Sequence, residues 1–357
     1  MLFDLMPKAR REDLFDFDEE LSRLTKLLGD SRTRLIVVKG LRRTGKTSLI
    51  LTALNSIASP YAFIDVREVV RSRRGLYRAL ERAVNDLLRL RSPVTAELRR
   101  ALEAVRGVRV AGLEVSLSWG RDRPAVSELL RELEEAASRV GFRLPLVIDE
   151  AQRLVGPIGH EVWSALAHAY DFLEGLVIVL SGSEVGVLES VLGDPGSPLY
   201  GRAYAEVNTR RLSDQESLEF LRRGFREAGV SVPEAELEEA VRELDGVVGW
   251  LTYYGYERSI GGKDLEEVVR EAVALARREL EDFMATRASR RYRAVLRLLA
   301  SGVRGWGELK RELERREGRE VSERALHEVL GALRRHSIVD ERLEFTDPIV
   351  RRAAEAI

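Results

Sequence analysis

Cysteine is missing from all 357 residues, which excludes disulfides, thiolate metal sites and cysteine catalysis. Histidine is nearly as scarce: His160, His168, His327 and His336 are the four copies, and their spacing matches no zinc site. Aromatic residues make up only 6% of the chain. No uninterrupted apolar run approaches the length of a membrane span. The amino terminus, with Asp4 close to its few apolar residues, lacks the apolar stretch of a secretion signal. The expectation is a soluble, cytoplasmic protein with no membrane partner. An excess of one charge is missing too. The 58 basic and 59 acidic residues leave a net charge of −1, so no global field draws nucleic acid or anionic lipid, although a local patch remains open. Lysine is rare, with six copies, and arginine supplies the other basic positions. Charge as such is plentiful, at 33% of the chain. Such density suits the ion-pair networks of a thermophile, or equally a GC-rich genome.

At this length the chain has room for two or three domains. Its most specific segment is Gly40-Leu41-Arg42-Arg43-Thr44-Gly45-Lys46-Thr47, a full match to the phosphate-binding pattern G-x-x-x-x-G-K-[ST]. The apolar run Leu35-Ile36-Val37-Val38 precedes it, and a helix-compatible stretch from Ser48 to Leu54 follows. Gly40 and Gly45 permit the tight turn that lets successive backbone N–H groups converge on phosphate oxygens. A helix starting near Lys46 adds its N-terminal partial charge. Residues Gly40 through Ser48 are thus the expected phosphate cradle, with Lys46 reaching the β/γ-phosphates and Thr47 ligating Mg²⁺. ATP and Mg²⁺ are the expected ligands.

Along the rest of the chain, Leu21, Leu24, Leu27 and Leu28 stand at helical spacing after the acidic stretch 16–20. Residues 60–66 read as a short buried strand, and Leu76 to Leu90 as an amphipathic helix. Residues 108–110 and 113–119 alternate as a hairpin around Ala111-Gly112. Pro124 opens a helix carrying Val126, Leu129, Leu130, Leu133 and Ala137. Residues 144–148, 176–180 and, more weakly, 203–207 are aliphatic runs with little alternation, which suits a parallel sheet covered on both faces. From Ser213 to about Ile338 the pattern is charged amphipathic helix. The expected class is α/β. A parallel-sheet P-loop core spans 1–210 with a hairpin insertion at about 107–120, a helical lid 211–286, and a winged-helix domain 287–357; the last boundary falls around Ala285–Ser289.

The run Leu146-Val147-Ile148-Asp149-Glu150 ends a buried strand in adjacent acids. Asp149 there can hold Mg²⁺ and Glu150 can polarise the attacking water. An added strand between the P-loop strand and the Asp149 strand is the topology of P-loop ATPases with a catalytic glutamate. In that topology the 176–180 strand lies between the other two. Its polar end would bring Ser181 to the γ-phosphate or the water, unless Ser181-Gly182-Ser183 is a plain turn in which Ser183 caps the next helix. Arg202, just before the last strand, is a candidate arginine finger in cis or in trans. Composition alone ranks it no higher than its neighbours.

These segments together resemble the archaeal P-loop ATPases, a family placed in the signal-transducing branch near the AAA+ proteins. The resemblance rests on residues 40–49, 148–152, 181–183 and 198–202, the acidic entry at 16–20, the stretch Gly246-Val247-Val248-Gly249-Trp250 and the ending Phe345-Thr346-Asp347-Pro348. It implies an ATPase core, a helical lid, a winged helix and ATP-dependent switching. One position departs: Val248 stands where the family carries proline in its lid motif.

The carboxy-terminal pattern agrees independently. Three helices carry Tyr292 to Leu299, Leu309 with Leu313, and Ala325 to Leu333 with Ser322 as cap, followed by a wing at 338–345. Two functions remain. One is an ATPase switch acting on a protein partner or through self-association. The other is an initiator-like DNA-binding ATPase that uses the winged helix. From residue 287 onward there are 17 basic and 12 acidic residues, a weak surplus for duplex binding, and nucleic acid is not favoured.

Overall fold

The computed structural model describes residues 1–57, 59–68, 72–89, 93–112, 114–287 and 291–357. Seven strands form within it: β1 (Leu35–Lys39), β2 (Ala62–Asp65), β3 (Val108–Ala111), β4 (Glu114–Leu117), β5 (Leu144–Asp149), β6 (Leu176–Gly182) and β7 (Ala205–Asn208). Five of them make one parallel sheet in the order β2-β5-β6-β1-β7. The continuous aliphatic runs of β1, β5 and β6 are buried along their whole length, because alternate side chains enter two different cores. Ile36 and Val38 face one core, while Leu35 and Val37 face the other.

The first core holds α1 (Asp18–Gly29) and α2 (Lys46–Ser56). The second holds α3 (Arg73–Arg89), α4 (Pro93–Glu103), α5 (Val126–Arg139) and α6 (Gly156–Phe172). A short helix, α7 (Val185–Gly193), follows β6. The β3–β4 hairpin stands apart from the main sheet and packs on α3 and α4. Sequence patterning overlooked α4, whose buried side of Leu98, Ala101 and Leu102 is short and set among arginines. The helix opened by Pro124 begins at Val126, and Ala203 and Tyr204 fall outside β7. Leu90, Leu113 and the boundary position Ser289 lie outside the described residues.

After the sheet come α8 (Asp214–Ala228), α9 (Glu234–Leu244), α10 (Val248–Ile260) and α11 (Leu265–Ala285). Reciprocal capping boxes, Ser213 with Glu216 and Asp264 with Glu267, start α8 and α11 by satisfying N–H groups that a helix leaves open. The chain ends in α12 (Arg291–Ala300), α13 (Trp306–Glu317), α14 (Glu323–Arg335) and α15 (Pro348–Glu355). The Ser322 hydroxyl caps α14 by accepting from Ala325 N, and the wing is reduced to one bridge, Val339 with Phe345. Helix α15 was not anticipated. Asp347 starts it by accepting from Ile349 N at 2.8 Å and Val350 N at 3.3 Å, and it packs on α11, α12 and α9. Among the described residues no helix is long and apolar enough to cross a membrane.

Candidate nucleotide-binding site

Parallel strands place all their carboxyl ends on one edge of the sheet. The loop 40–45 leaves β1 there, Asp149 closes β5, and Ser181 sits in β6 between them, paired with Val38 of β1. The loop turns through three residues with positive φ: Gly40 (155°), Arg43 (63°) and Gly45 (86°). A Cβ at Gly40 would collide with the Thr209 hydroxyl. That hydroxyl lies 2.7 Å from Thr44 Oγ1, and Thr209 N donates to Lys39 O at 2.8 Å. Thr209, which follows β7, therefore braces the loop from behind.

Arg43 takes a left-handed conformation that side chains disfavour, and contacts outside the loop hold it there. Its carbonyl accepts from Gly249 N at 2.9 Å. Its guanidinium lies 3.9 Å from the Trp250 ring centre and donates to both oxygens of Glu279 in α11, at 3.2 and 2.7 Å. Arg42 shares that carboxylate at 2.8 Å. Lys46 opens α2, is buried, and donates to Gly40 O at 2.9 Å and Leu41 O at 2.6 Å. Burial pushes its ammonium down to about 8, with Arg42 adding to the fall and Glu150 and Asp149 opposing it.

Thr47 Oγ1 donates to Asp149 Oδ2 at 3.0 Å, and Ser181 Oγ donates to Asp149 Oδ1. Burial raises the Asp149 carboxyl above its usual range; the Ser181 hydrogen bond works against this and the Glu150 charge with it. A buried carboxylate beside a hydroxyl is an oxygen pair suited to a hard divalent cation, which would relieve the desolvated charge. Among the described residues no larger cluster of metal-ligating side chains occurs. Magnesium needs none, because it keeps several waters and phosphate oxygens as ligands.

Glu150 also has positive φ, 55°. Its Oε2 accepts from Ser183 Oγ at 2.9 Å and from Gln152 Nε2. Ser183 is therefore not the helix cap that the turn reading supposed. α7 has no side-chain cap of its own, and Val185 N donates instead to Ser337 Oγ at 3.1 Å, far along the chain. Beside this contact His336 Nδ1 lies 2.7 Å from Glu184 Oε2. Burial alone would raise the Glu184 carboxyl, but the His336 bond and the charges of His336, Arg42 and Arg153 hold it below the usual range. A cavity of about 700 Å³ opens between the loop, Gln152, Ser183, the end of α11 and residues 336–338.

The phosphate loop, the strand-end acids and the first part of the helical segment lie within one stretch of chain that matches a known family. Residues 14–253 match the model of an ATPase domain found predominantly in Archaea. The chain belongs to this family. Residues 286–344 match the carboxy-terminal winged helix-turn-helix domain of MCM proteins. Among solved structures it is similar to a Walker-type ATPase of Pyrococcus abyssi, with 33% identity over 99% of both chains and a TM-score of 0.82. Two weaker likenesses are the ORC1 protein of Aeropyrum pernix in complex with DNA (18% identity, 92% of this chain and 85% of that one, TM-score 0.46) and the RuvB branch migration motor of Thermotoga maritima (13%, 95% and 94%, TM-score 0.47). No curated protein matches.

Two expected site residues turn their side chains to other partners: Ser48, which stays in the first turn of α2, and Arg202. Ser48 Oγ accepts from Lys8 N at 3.0 Å, so it ties α2 to the amino-terminal segment. Arg202 precedes β7 and so lies at the opposite edge of the sheet from the loop. There it donates to Asp171 Oδ1 at 3.1 Å and to Pro198 O. A finger acting in cis is incompatible with that position. Sequence reasoning gave no role to Thr209 and Glu279, which only folding brings in, and quoted Gln152 and Asp347 as part of the family resemblance without assigning them a contact.

Proposed function

We propose that this ATPase is an ATP-binding and ATP-hydrolysing switch whose nucleotide state sets the position of the helical segment (211–286) and the winged helix (287–357) for partner binding. The observation that carries this reading is the contact path leaving the phosphate loop. Arg43 is joined to Gly249, Trp250 and Glu279, and Trp250 Nε1 donates to Asp347 Oδ2 at 2.8 Å. A nucleotide that reshapes the loop thereby acts on both later parts of the chain.

In the chemical step, water attacks the terminal phosphorus, the bond to the bridging oxygen breaks, and ADP and phosphate leave. Glu150 orients that water by accepting its hydrogen bond, after release from Ser183 and Gln152. The backbone of residues 40–47 and the Lys46 ammonium hold the phosphates. Thr47 and Asp149 would hold Mg²⁺, which supplies charge neutralisation at the phosphates when bound. Ser181 positions Asp149. Arg202, on the far edge, serves only a neighbouring copy if it meets a phosphate at all.

The initiator-like reading through the winged helix draws less support. At the amino end of α14, Arg324 pairs with Glu328 at 3.0 Å, and on α13 Arg315 pairs with Glu312 at 2.8 Å. The far end of α14 packs on α7. Self-paired cations of this kind are poor readers of base edges.

The cysteine-free chain permits a direct test. Arg32 and Arg324 are both 89% exposed. Spin labels on Arg32→Cys and Arg324→Cys report the distance between core and winged helix. ATP with Mg²⁺ should change that distance, Glu150→Gln should keep the changed state, and hydrolysis in the parent should restore the original one. Identical distances with and without ATP overturn the switch.

A further inference from the structure

The segment between β2 and β5 departs from the charge balance of the whole. Residues 67–123 contain 14 arginines and 7 acids, in a protein whose net charge is −1. The acids are mostly committed locally. Glu81 accepts from Leu117 N at 2.8 Å, and Asn85 brackets Val115 at 2.7 and 2.8 Å, which fixes β4 along α3. Asp86 pairs with Arg89, Glu97 with Arg100, and Asp122 with Arg106. Among the described residues, Arg74, Arg78, Arg109 and Arg121 have no carboxylate partner, and all four are exposed. Arg74 and Arg78 stand one turn apart on α3, about 6 Å along the axis. Arg109 occupies the outer face of the hairpin, across from Ser116.

Trp119 belongs to the same segment and lies against one of these arginines. It follows β4, is 50% exposed, and has the Arg74 guanidinium 5.3 Å from its ring centre. What sets this indole apart from the other exposed apolar side chains is the guanidinium beside it. Unneutralised arginines on the same segment as a flat exposed ring form the combination that tracks a phosphate backbone while a base stacks on the aromatic face. An acidic polypeptide would satisfy the arginines but need not bring a flat ring to the indole, whereas every nucleotide carries one beside its phosphate. A duplex would keep its bases stacked on one another. We propose that α3 and the β3–β4 hairpin form a binding surface for single-stranded nucleic acid, with Arg74, Arg78 and Arg121 on the phosphates and Trp119 against a base. The surface is separate from the winged helix, and the proposal does not depend on the switch reading.

The test is fluorescence anisotropy of the full chain with a fluorescein-labelled single strand of about 30 mixed nucleotides, at low salt and then across a salt series. Binding should weaken steeply with salt. The double variant R74E/R78E and, separately, R121E should each lower affinity at least about tenfold. Trp119→Ala should do the same and Trp119→Phe should restore most of it, because the phenyl ring still stacks. Unfolding midpoints near the parent's establish that these exposed substitutions leave the fold intact. Arg324→Glu on α14 should have no effect. The proposal is overturned by absence of binding at low salt, by unchanged affinity in both charge-reversal variants, by loss in Arg324→Glu, or by poly-glutamate displacing the strand as well as unlabelled strand does.

Discussion

Arg43 and Trp250 stack with the guanidinium carbon 3.9 Å from the ring centre. One end of this contact is the phosphate loop. The other is a buried indole whose N–H reaches Asp347, the residue that starts α15. A cation over an indole out of water is worth about 2 kcal/mol. A shift of the loop on ligand binding cannot leave the ring environment unchanged.

Fluorescence should register that shift. In a variant retaining Trp250 as its sole tryptophan (Trp119, Trp163 and Trp306 replaced), saturating ATP should alter the emission. The same variant with Arg43→Ala should lose most of the response. An emission spectrum indifferent to ATP would count against coupling of loop and helical segment.

Gly249 is where the α10 backbone comes closest to the loop. Its N–H donates to Arg43 O, and a Cβ there would come within 2.6 Å of Arg43 Cβ. Gly249→Ala should push α10 off the loop and lower ATP affinity at least about tenfold, the equivalent of one lost hydrogen bond of about 1.4 kcal/mol. Titration calorimetry measures this, with thermal unfolding as the control for the fold.

Lys46 should make nucleotide binding pH-dependent. Its folded-state pKa of about 8 lies below the free value of 10.5, so between those values the unfolded chain binds more protons. Stability of the nucleotide-free fold should therefore rise with pH through that window, and Lys46→Met should remove the slope. Phosphates raise the pKa again, so ATP binding near pH 8.5 should take up a fraction of a proton. Calorimetry in buffers of unequal ionisation heat reads that uptake; zero uptake would contradict the buried-ammonium assignment. Lys46→Ala should abolish measurable affinity.

Glu150→Gln should bind ATP as the parent does and hydrolyse it about 10²–10⁴-fold more slowly. Asp149→Asn should raise the Mg²⁺ concentration needed for half-maximal activity. Phosphate release under single-turnover conditions separates the two effects. Retained turnover in Glu150→Gln would assign water activation to another group.

The core of the fold was legible because its signals are local. A glycine loop between an aliphatic run and a helix has few alternatives, and a buried strand ending in Asp149-Glu150 pairs naturally with it. Aliphatic runs without alternation implied the parallel sheet, and P-loop topology put β6 between β1 and β5. Capping residues such as Ser322 fixed helix starts because they act within three residues of themselves.

The rest depended on separations that no local pattern spans. Arg202 looked like a finger because it sits before the last strand, yet strand direction carries it to the opposite edge. Ser183 looked like a cap until β6 aligned beside β5 and gave its hydroxyl to Glu150. The left-handed Arg43 has no counterpart in its own sequence neighbourhood; Gly249, Trp250 and Glu279 hold it from more than two hundred residues away. The phosphate-binding candidates could be picked out from the chain alone, since that motif lies in eight consecutive positions. What the loop is attached to emerged on folding, since those partners meet through helix packing rather than chain proximity.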